Sequence, residues 1–267
     1  MKKLKSLFSR FYLLLVLAFF YLPILYVIVF SFNDSKSLSK FTGFSLQWYE
    51  KMFANRTIME SSYYTVVIAV IATVVSTIVG TIAAIGLSKS RRIVKELTLQ
   101  INNLPMMNPE IVTAIGLMLL FTSLNIKTGF MTLLLAHIAF CIPYVMLSIM
   151  PKLRQMDPNL PEAALDLGAT PWQALTKVIV PEIMPGIVSG ALIAFTMSFD
   201  DFVISFFTTG PGINNITIYV YSMYKRINPS INALSTIIVV MITVVLILVN
   251  VVPLMKERKL KKNEKLG

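Results

Sequence analysis

Asp200 and Asp201 stand side by side in a run, residues 186–208, that holds no other charge. About 14 residues beyond Gly186, they lie ~21 Å along a helix rising 1.5 Å per residue, still inside a hydrocarbon core ~30 Å thick. Each carboxylate at such a depth costs about 3 kcal/mol on the insertion scale, so two of them have to serve a purpose. No Lys or Arg falls within any long apolar stretch of the chain, which leaves both acids without a basic partner in sequence terms. The chemistry open to them is electrostatic attraction of a cation. On a continuous helix Asp201 shares a stripe with Ser198, Ser205 and Thr208, at spacings of three, four and three residues, and this stripe is expected to face a wet interior. Glu110, at the start of another apolar run, is a third candidate acid, or else a residue of the inner interface. Phe199, Phe202, Tyr219, Tyr221 and Tyr224 offer aromatic faces to a cation, or ordinary packing and interface anchoring.

Other chemistries lack their residues. His137 and Cys141 are the only histidine and cysteine, one turn apart on one predicted helix, and without further soft ligands they suggest packing instead of a metal site. A single cysteine forms no intrachain disulfide. No nucleophile, base and metal set can be assembled, so no catalytic residue and no cofactor is expected. No glycine-rich loop ending in Lys-Ser/Thr occurs, and ATP chemistry must sit on another polypeptide.

The elements that would position these acids follow from composition. With a mean hydropathy of +0.74, 56% apolar residues and 14% charged, the 267 residues carry more apolar surface than one globular core can bury. Six stretches reach spanning length, near residues 11–32, 63–87, 106–126, 128–150, 186–208 and 233–255. Helices are expected, because every backbone amide must be satisfied within lipid and the runs exceed the roughly 10-residue strands of a barrel. The first run, preceded by Lys2, Lys3, Lys5 and Arg10, exceeds the usual signal-peptide core and is expected to be retained. The fold class is therefore an all-α polytopic membrane protein, one transmembrane domain over residues 1–267.

A net charge of +11 in water would suggest nucleic acid, but its distribution points elsewhere. With the N-terminus inside, seventeen Lys and Arg residues fall in inner segments and seven in outer ones, placing both termini in the cytoplasm. The basic balance thus describes topology and anionic lipid, with no nucleic-acid partner.

Two connections stand out. The outer segment 33–62 is long, with Trp48 and Tyr49 suited to the membrane interface. The turn at 124–128 is so short that its flanking helices are expected to be antiparallel neighbours. The inner segment 151–185 contains two short helical runs. Pro161-Glu162-Ala163-Ala164-Leu165-Asp166-Leu167 opens with a first-turn proline and ends at Gly168. Thr170-Pro171-Trp172-Gln173 carries an N-cap, a first-turn proline and a capping-box glutamine. Together they form a cytoplasmic knuckle.

Glu162-Ala163-Ala164, three residues, Gly168, nine residues and then Val178-Ile179-Val180-Pro181 resembles the EAA loop of membrane subunits of binding-protein-dependent ABC importers. Val178 and Val180 stand where that family has Ile and Leu. The resemblance implies a type I importer transmembrane domain whose loop, with Glu162, Ala163, Ala164, Gly168 and Pro181, docks on a cytoplasmic ATPase. Asn108-Pro109-Glu110-Ile111-Val112 and the segment from Ser198 through Phe207 to Gly212 are similar to the spermidine/putrescine permeases within that family. This implies a multi-pass subunit of the bacterial inner membrane, paired with a second permease, two ATPase subunits and an extracytoplasmic polyamine-binding protein. Asp200, Asp201, Glu110, Ser198, Ser205 and Phe199 are the expected substrate-pathway residues. The alternatives are a permease for another solute, or a stand-alone cation channel or secondary transporter that leaves the coupling loop unexplained.

Overall fold

Long apolar runs become helices throughout the computed structural model, which describes residues 2–223, 228–244 and 247, with side chains from Arg10 onward. In chain order the helices are α1 (Lys2–Phe30), α2 (Gln47–Ala54), α3 (Arg56–Ser88), α4 (Arg92–Met107), α5 (Glu110–Ser123), α6 (Phe130–Gln155), α7 (Leu160–Asp166), α8 (Pro171–Ala174), α9 (Val180–Phe199), α10 (Val203–Thr208), α11 (Ile216–Ser222) and α12 (Ser230–Val244). A π-helical turn, Leu175–Ile179, joins α8 to α9. Among the described residues, four helices are long and apolar enough to cross a membrane, or five if α4 and α5 count as one bent span. The expected sixth span, 233–255, begins in α12, and most of its second half lies outside the described residues, as do Tyr224 and the basic tail beyond residue 255.

The chain divides into two units, Met1–Met59 with Ser222–Gly267, and Glu60–Tyr221. In the first, α1 exposes apolar side chains all round, from Phe11 to Val29, as a helix meant for lipid or another subunit does. The loop after it is organised by the buried amide of Asn33, which donates to the carbonyls of Ser37 and Lys40 at 3.0 and 2.9 Å and accepts from the Thr42 amide at 2.9 Å. Trp48 does not anchor at an interface as its type suggested. It is 3% exposed, and its indole N–H donates to the Asn33 carbonyl at 2.6 Å, because a buried ring must satisfy its one donor. Tyr49 likewise spends its hydroxyl on Ser31 Oγ at 2.7 Å.

In the second unit α6 and α9 form the most extensive helix pair. Gly186 and Gly190 make this possible: a Cβ would come within 3.0 Å of the Ser148 carbonyl oxygen at the first and 3.2 Å of Val145 Cα at the second. Small residues at a crossing let helix backbones approach where lipid offers no hydrophobic drive. Ala84, Ala114, Phe140, Val145, Ile149, Ile183 and Ile204 form the core around that pair. The turn 124–128 is closed by Asn125 in the left-handed region (φ 55°) and by Ile126 N–H donating to the Phe121 carbonyl at 2.8 Å. The two helices it connects have other principal partners, however, for α5 packs chiefly on α10 while α6 packs on α9.

Two expected boundaries are corrected. The span 106–126 starts at Glu110, and the segment before it, read as inner loop, is the amphipathic helix α4, meeting α5 at 104°. The bend sits at Asn108, whose extended conformation (φ −84°, ψ 148°) is the one that a following proline imposes. Ile93, Leu97, Ile101 and Leu104 lie outward along α4, suited to lie in the membrane surface. The span 186–208 is not continuous either: α9 begins earlier, at Val180, stops at Phe199, and resumes as α10 after a break at Asp200, Asp201 and Phe202.

Candidate functional site

The break in the fifth span is made by one of its own carboxylates. Asp201 turns back to accept from the first free amides of α10, Ile204 N–H at 3.1 Å and Ser205 N–H at 2.7 Å, one on each oxygen. An aspartate that satisfies two orphan donors offers the backbone an alternative to continuing the helix. The residue is 5% exposed, and its Oδ2 also lies 3.4 Å from His137 Nε2 on α6. His137 is held between two hydroxyls, with Nδ1 2.7 Å from Ser198 Oγ and Nε2 3.0 Å from Ser205 Oγ.

The chain that follows α10 closes this cluster from the other side. Asn215 donates to the Asp201 carbonyl at 3.1 Å and to Ser205 Oγ at 2.7 Å, while Thr217 Oγ1 donates to the same carbonyl at 2.7 Å. Thr65 on α3 accepts from Ile216 N–H at 2.8 Å, and Thr132 on α6 donates to the Thr208 carbonyl at 2.9 Å. Five helices and one loop thus meet on a polar knot, each member partnered, as buried polar groups require.

The stripe of Ser198, Asp201, Ser205 and Thr208 therefore lies in the packed interior instead of a wet one, and Asp201 does have a partner in the chain. Phe199 is buried as well, stacked on Phe195 with centroids 5.5 Å apart. Asp200 has the opposite fate: as the residue that ends α9 it points away from the knot and is exposed. Glu110, half-buried at the first turn of α5, lies within electrostatic reach of both Asp201 and Asp200. Three carboxyls, one from α5 and two from the break itself, are thereby gathered there. Phe202 and Phe206 face Tyr221 nearby, at centroid distances of 4.8 and 6.1 Å. Sequence reasoning missed the role of His137 and overlooked Asn215; the histidine's position in an uncharged span was the available signal, and Asn215 offered none.

The knuckle agrees with its helix grammar. Gly168 adopts φ +86°, its N–H donating to the Leu165 carbonyl at 2.9 Å and the Ala169 N–H to the Ala164 carbonyl at 3.0 Å, which closes α7 in a Schellman motif. Thr170 and Gln173 form the reciprocal capping box that opens α8, with bonds of 3.3 and 2.9 Å. Glu162 and Ala163 are exposed, Ala164 is half-buried, and Pro181 is exposed at the start of α9. Leu167 is 90% and Trp172 71% exposed, so two large apolar side chains flank the turn without cover. Among the described residues no group of three His, Cys, Asp or Glu could hold a metal ion.

Residues 76–262 match the model of the family described as binding-protein-dependent transport system inner membrane component. The spermidine/putrescine transport system permease protein PotC of Haemophilus influenzae is 38% identical, over 87% of this chain and 93% of that protein. The Escherichia coli K12 protein of the same name is 36% identical, covering 87% and 88% respectively. The E. coli K12 putrescine transport system permease protein PotI is 37% identical, covering 85% and 83%. Among solved structures, a bacterial ABC transporter that imports the acidic polysaccharide alginate superposes with a TM-score of 0.71 at 16% identity, over 94% of this chain and 96% of that one, a likeness of fold.

Proposed function

The chain belongs to the family of inner membrane components of binding-protein-dependent transport systems, and on that premise we propose that it is a permease subunit of an ATP-driven importer whose cargo is a polyamine. It is a transport subunit of the inner membrane, not an enzyme. The observation that carries the cargo assignment is the exposed Asp200 beside half-buried Glu110 at the break of the fifth span. Linear polyamines hold two to four ammonium groups on a flexible apolar chain, which suits spaced carboxylates next to the aromatic faces of Phe202 and Tyr221. The relatives named for spermidine and putrescine support the same choice.

The partners follow from the parts that this chain lacks or leaves uncovered. Leu167 and Trp172 flank Gly168 as an apolar surface that a groove on a separate ATPase subunit would cover, with Glu162 at its rim. A second, similar permease completes the translocation path, two ATPases drive it, and an extracytoplasmic binding protein delivers the cargo. Both termini lie in the cytoplasm in this reading, which the positive-inside distribution of Lys and Arg supports.

Vesicles containing the assembled complex are expected to accumulate radiolabelled spermidine only with ATP present, and the chain reconstituted alone to accumulate none. Uptake by the isolated chain would favour the channel or secondary-transporter alternative. Gly168 tests the coupling role separately. Its added Cβ would meet nothing within 4 Å, so the demand for glycine comes from the backbone, where a left-handed residue with a side chain costs about 1–2 kcal/mol. Gly168→Val is expected to insert normally yet lower uptake about tenfold, and Gly168→Asn, which tolerates the left-handed region, to retain most of it. Equal uptake in the two variants would show that this turn is not needed for coupling.

A further inference from the structure

On the side of the second unit that carries the knuckle, a cavity of about 290 Å³ opens between the ends of α3, α4 and α6 and the approach to α7. Lys89 follows the last turn of α3, Lys95 lies on α4, and Arg154 lies in the last turn of α6, and all three line it. Lys95 shares its face of α4 with Leu99, which packs on the core, and with Asn102, which donates to the Pro143 carbonyl at 3.5 Å. This places a lysine on the protein-facing side of an amphipathic helix. No acid lines the cavity, and among the described residues none of the three cations makes an ion pair. The nearby Glu96 is taken by Arg92 at 2.8 Å. Three like charges around one space repel one another unless an anion sits among them.

We infer that this cavity binds the phosphate headgroup of an anionic phospholipid from the cytoplasmic leaflet. The inference rests on the membrane orientation proposed above but not on the cargo. Phosphate is the shared chemistry of lipid headgroups and free anions, and α4 decides for lipid. Its outward Ile93, Val94, Leu97, Ile101 and Leu104 place the cavity at the membrane surface, where basic pockets between helices meet headgroups. A smaller cavity of about 120 Å³ shares Met150 and Arg154 and runs between Leu99 on α4 and Leu147 on α6, giving the lipid's glycerol end a place beside its phosphate. Met156, Pro158 and Pro161 form the wall nearest α7, so a bound headgroup touches the segment that leads into the knuckle.

The test is native mass spectrometry of the chain, purified with the subunits that co-purify with it, from vesicles of phosphatidylcholine containing phosphatidylglycerol. Wild-type complex is expected to retain phosphatidylglycerol, and the combined Lys89→Gln, Lys95→Gln and Arg154→Gln variant to lose it, with affinity falling about fivefold per charge removed. Arg91→Gln, a charge outside the cavity, is expected to leave retention unchanged, and equal thermal midpoints check that the variants fold. Equal retention by the triple variant would overturn the inference, as would displacement of the lipid by millimolar inorganic phosphate, which marks a free-anion site. Loss of the ATPase subunit from the triple variant with lipid retention unchanged would do the same, since the cations would then pair with that subunit. A complex that transports spermidine but holds no phosphatidylglycerol fails this inference alone, and one that holds the lipid without transporting fails only the assigned function.

Discussion

Asp201→Ala is expected to lower the recovery of folded chain from membranes at least tenfold, with a thermal midpoint in detergent well below that of the wild type. The substitution strands the Ile204 and Ser205 amides and removes the carboxylate from His137, all within a buried knot. A buried donor left without a partner costs about 1–3 kcal/mol, and with two stranded about 3 kcal/mol in all is at stake. Asp201→Asn keeps one acceptor oxygen and is expected to fall midway. Ser198→Ala leaves His137 its other contacts and is expected to cost about 1 kcal/mol. A chain that folded as well as wild type with Asp201→Ala, and lost only uptake, would return this residue to the cargo path.

Joint replacement of Asp200 by Asn and Glu110 by Gln is expected to act the other way, sparing the assembled complex and reducing spermidine uptake per complex about a hundredfold at low substrate. Each neutralised carboxylate removes one attraction for an ammonium group, and a tenfold loss apiece corresponds to about 1.4 kcal/mol. Asp200 is exposed and takes no part in the knot around Asp201, so the fold does not depend on its charge. Complex yield and uptake measured on the same preparations separate the outcomes. Unchanged uptake per complex would remove both acids from the cargo path. A fall in yield ahead of uptake would mean that the acids pair with a basic residue of another subunit, whose charge is left stranded.

How far the sequence could be read depended on whether the cause was local. The caps of the knuckle were legible, because a glycine at a helix end, a proline in a first turn and a Thr-x-x-Gln box act within four positions of themselves. The end expected for its second helix at Pro181 was not, since α8 runs through a π-helical turn straight into α9. The division of labour between the neighbouring aspartates was not. Residues 186–208 contain no glycine or proline near the break, and it arises because Asp201 finds His137, sixty-four positions away, and Asn215 across it. Hydropathy alone sees a continuous span there. The opposite error concealed α4: Arg91, Arg92, Lys95 and Glu96 made 88–105 look like loop, although Ile93, Leu97, Ile101 and Leu104 recur at helical spacing. Trp48 reads as an interface anchor by type, and only the fold of the loop around Asn33 reveals the carbonyl that takes its proton.

The glycine contacts between α6 and α9 have a mechanical meaning. Those two helices enter and leave the knuckle, and at Gly186 and Gly190 their backbones touch with no side chain between them to act as a cushion. A close-packed crossing of this kind has little compliance, so the pair behaves as a single strut. Displacement of the knuckle is then passed along the 20 residues of α9, about 30 Å, with little loss. The strut ends where Asp200 begins. Beyond it the short α10 is set off by the break and held by hydrogen bonds around a polar joint. The stiff arm and the hydrogen-bonded joint meet at the exposed carboxylate, so on the coupling role proposed above a stroke begun at the knuckle would reach that carboxylate first.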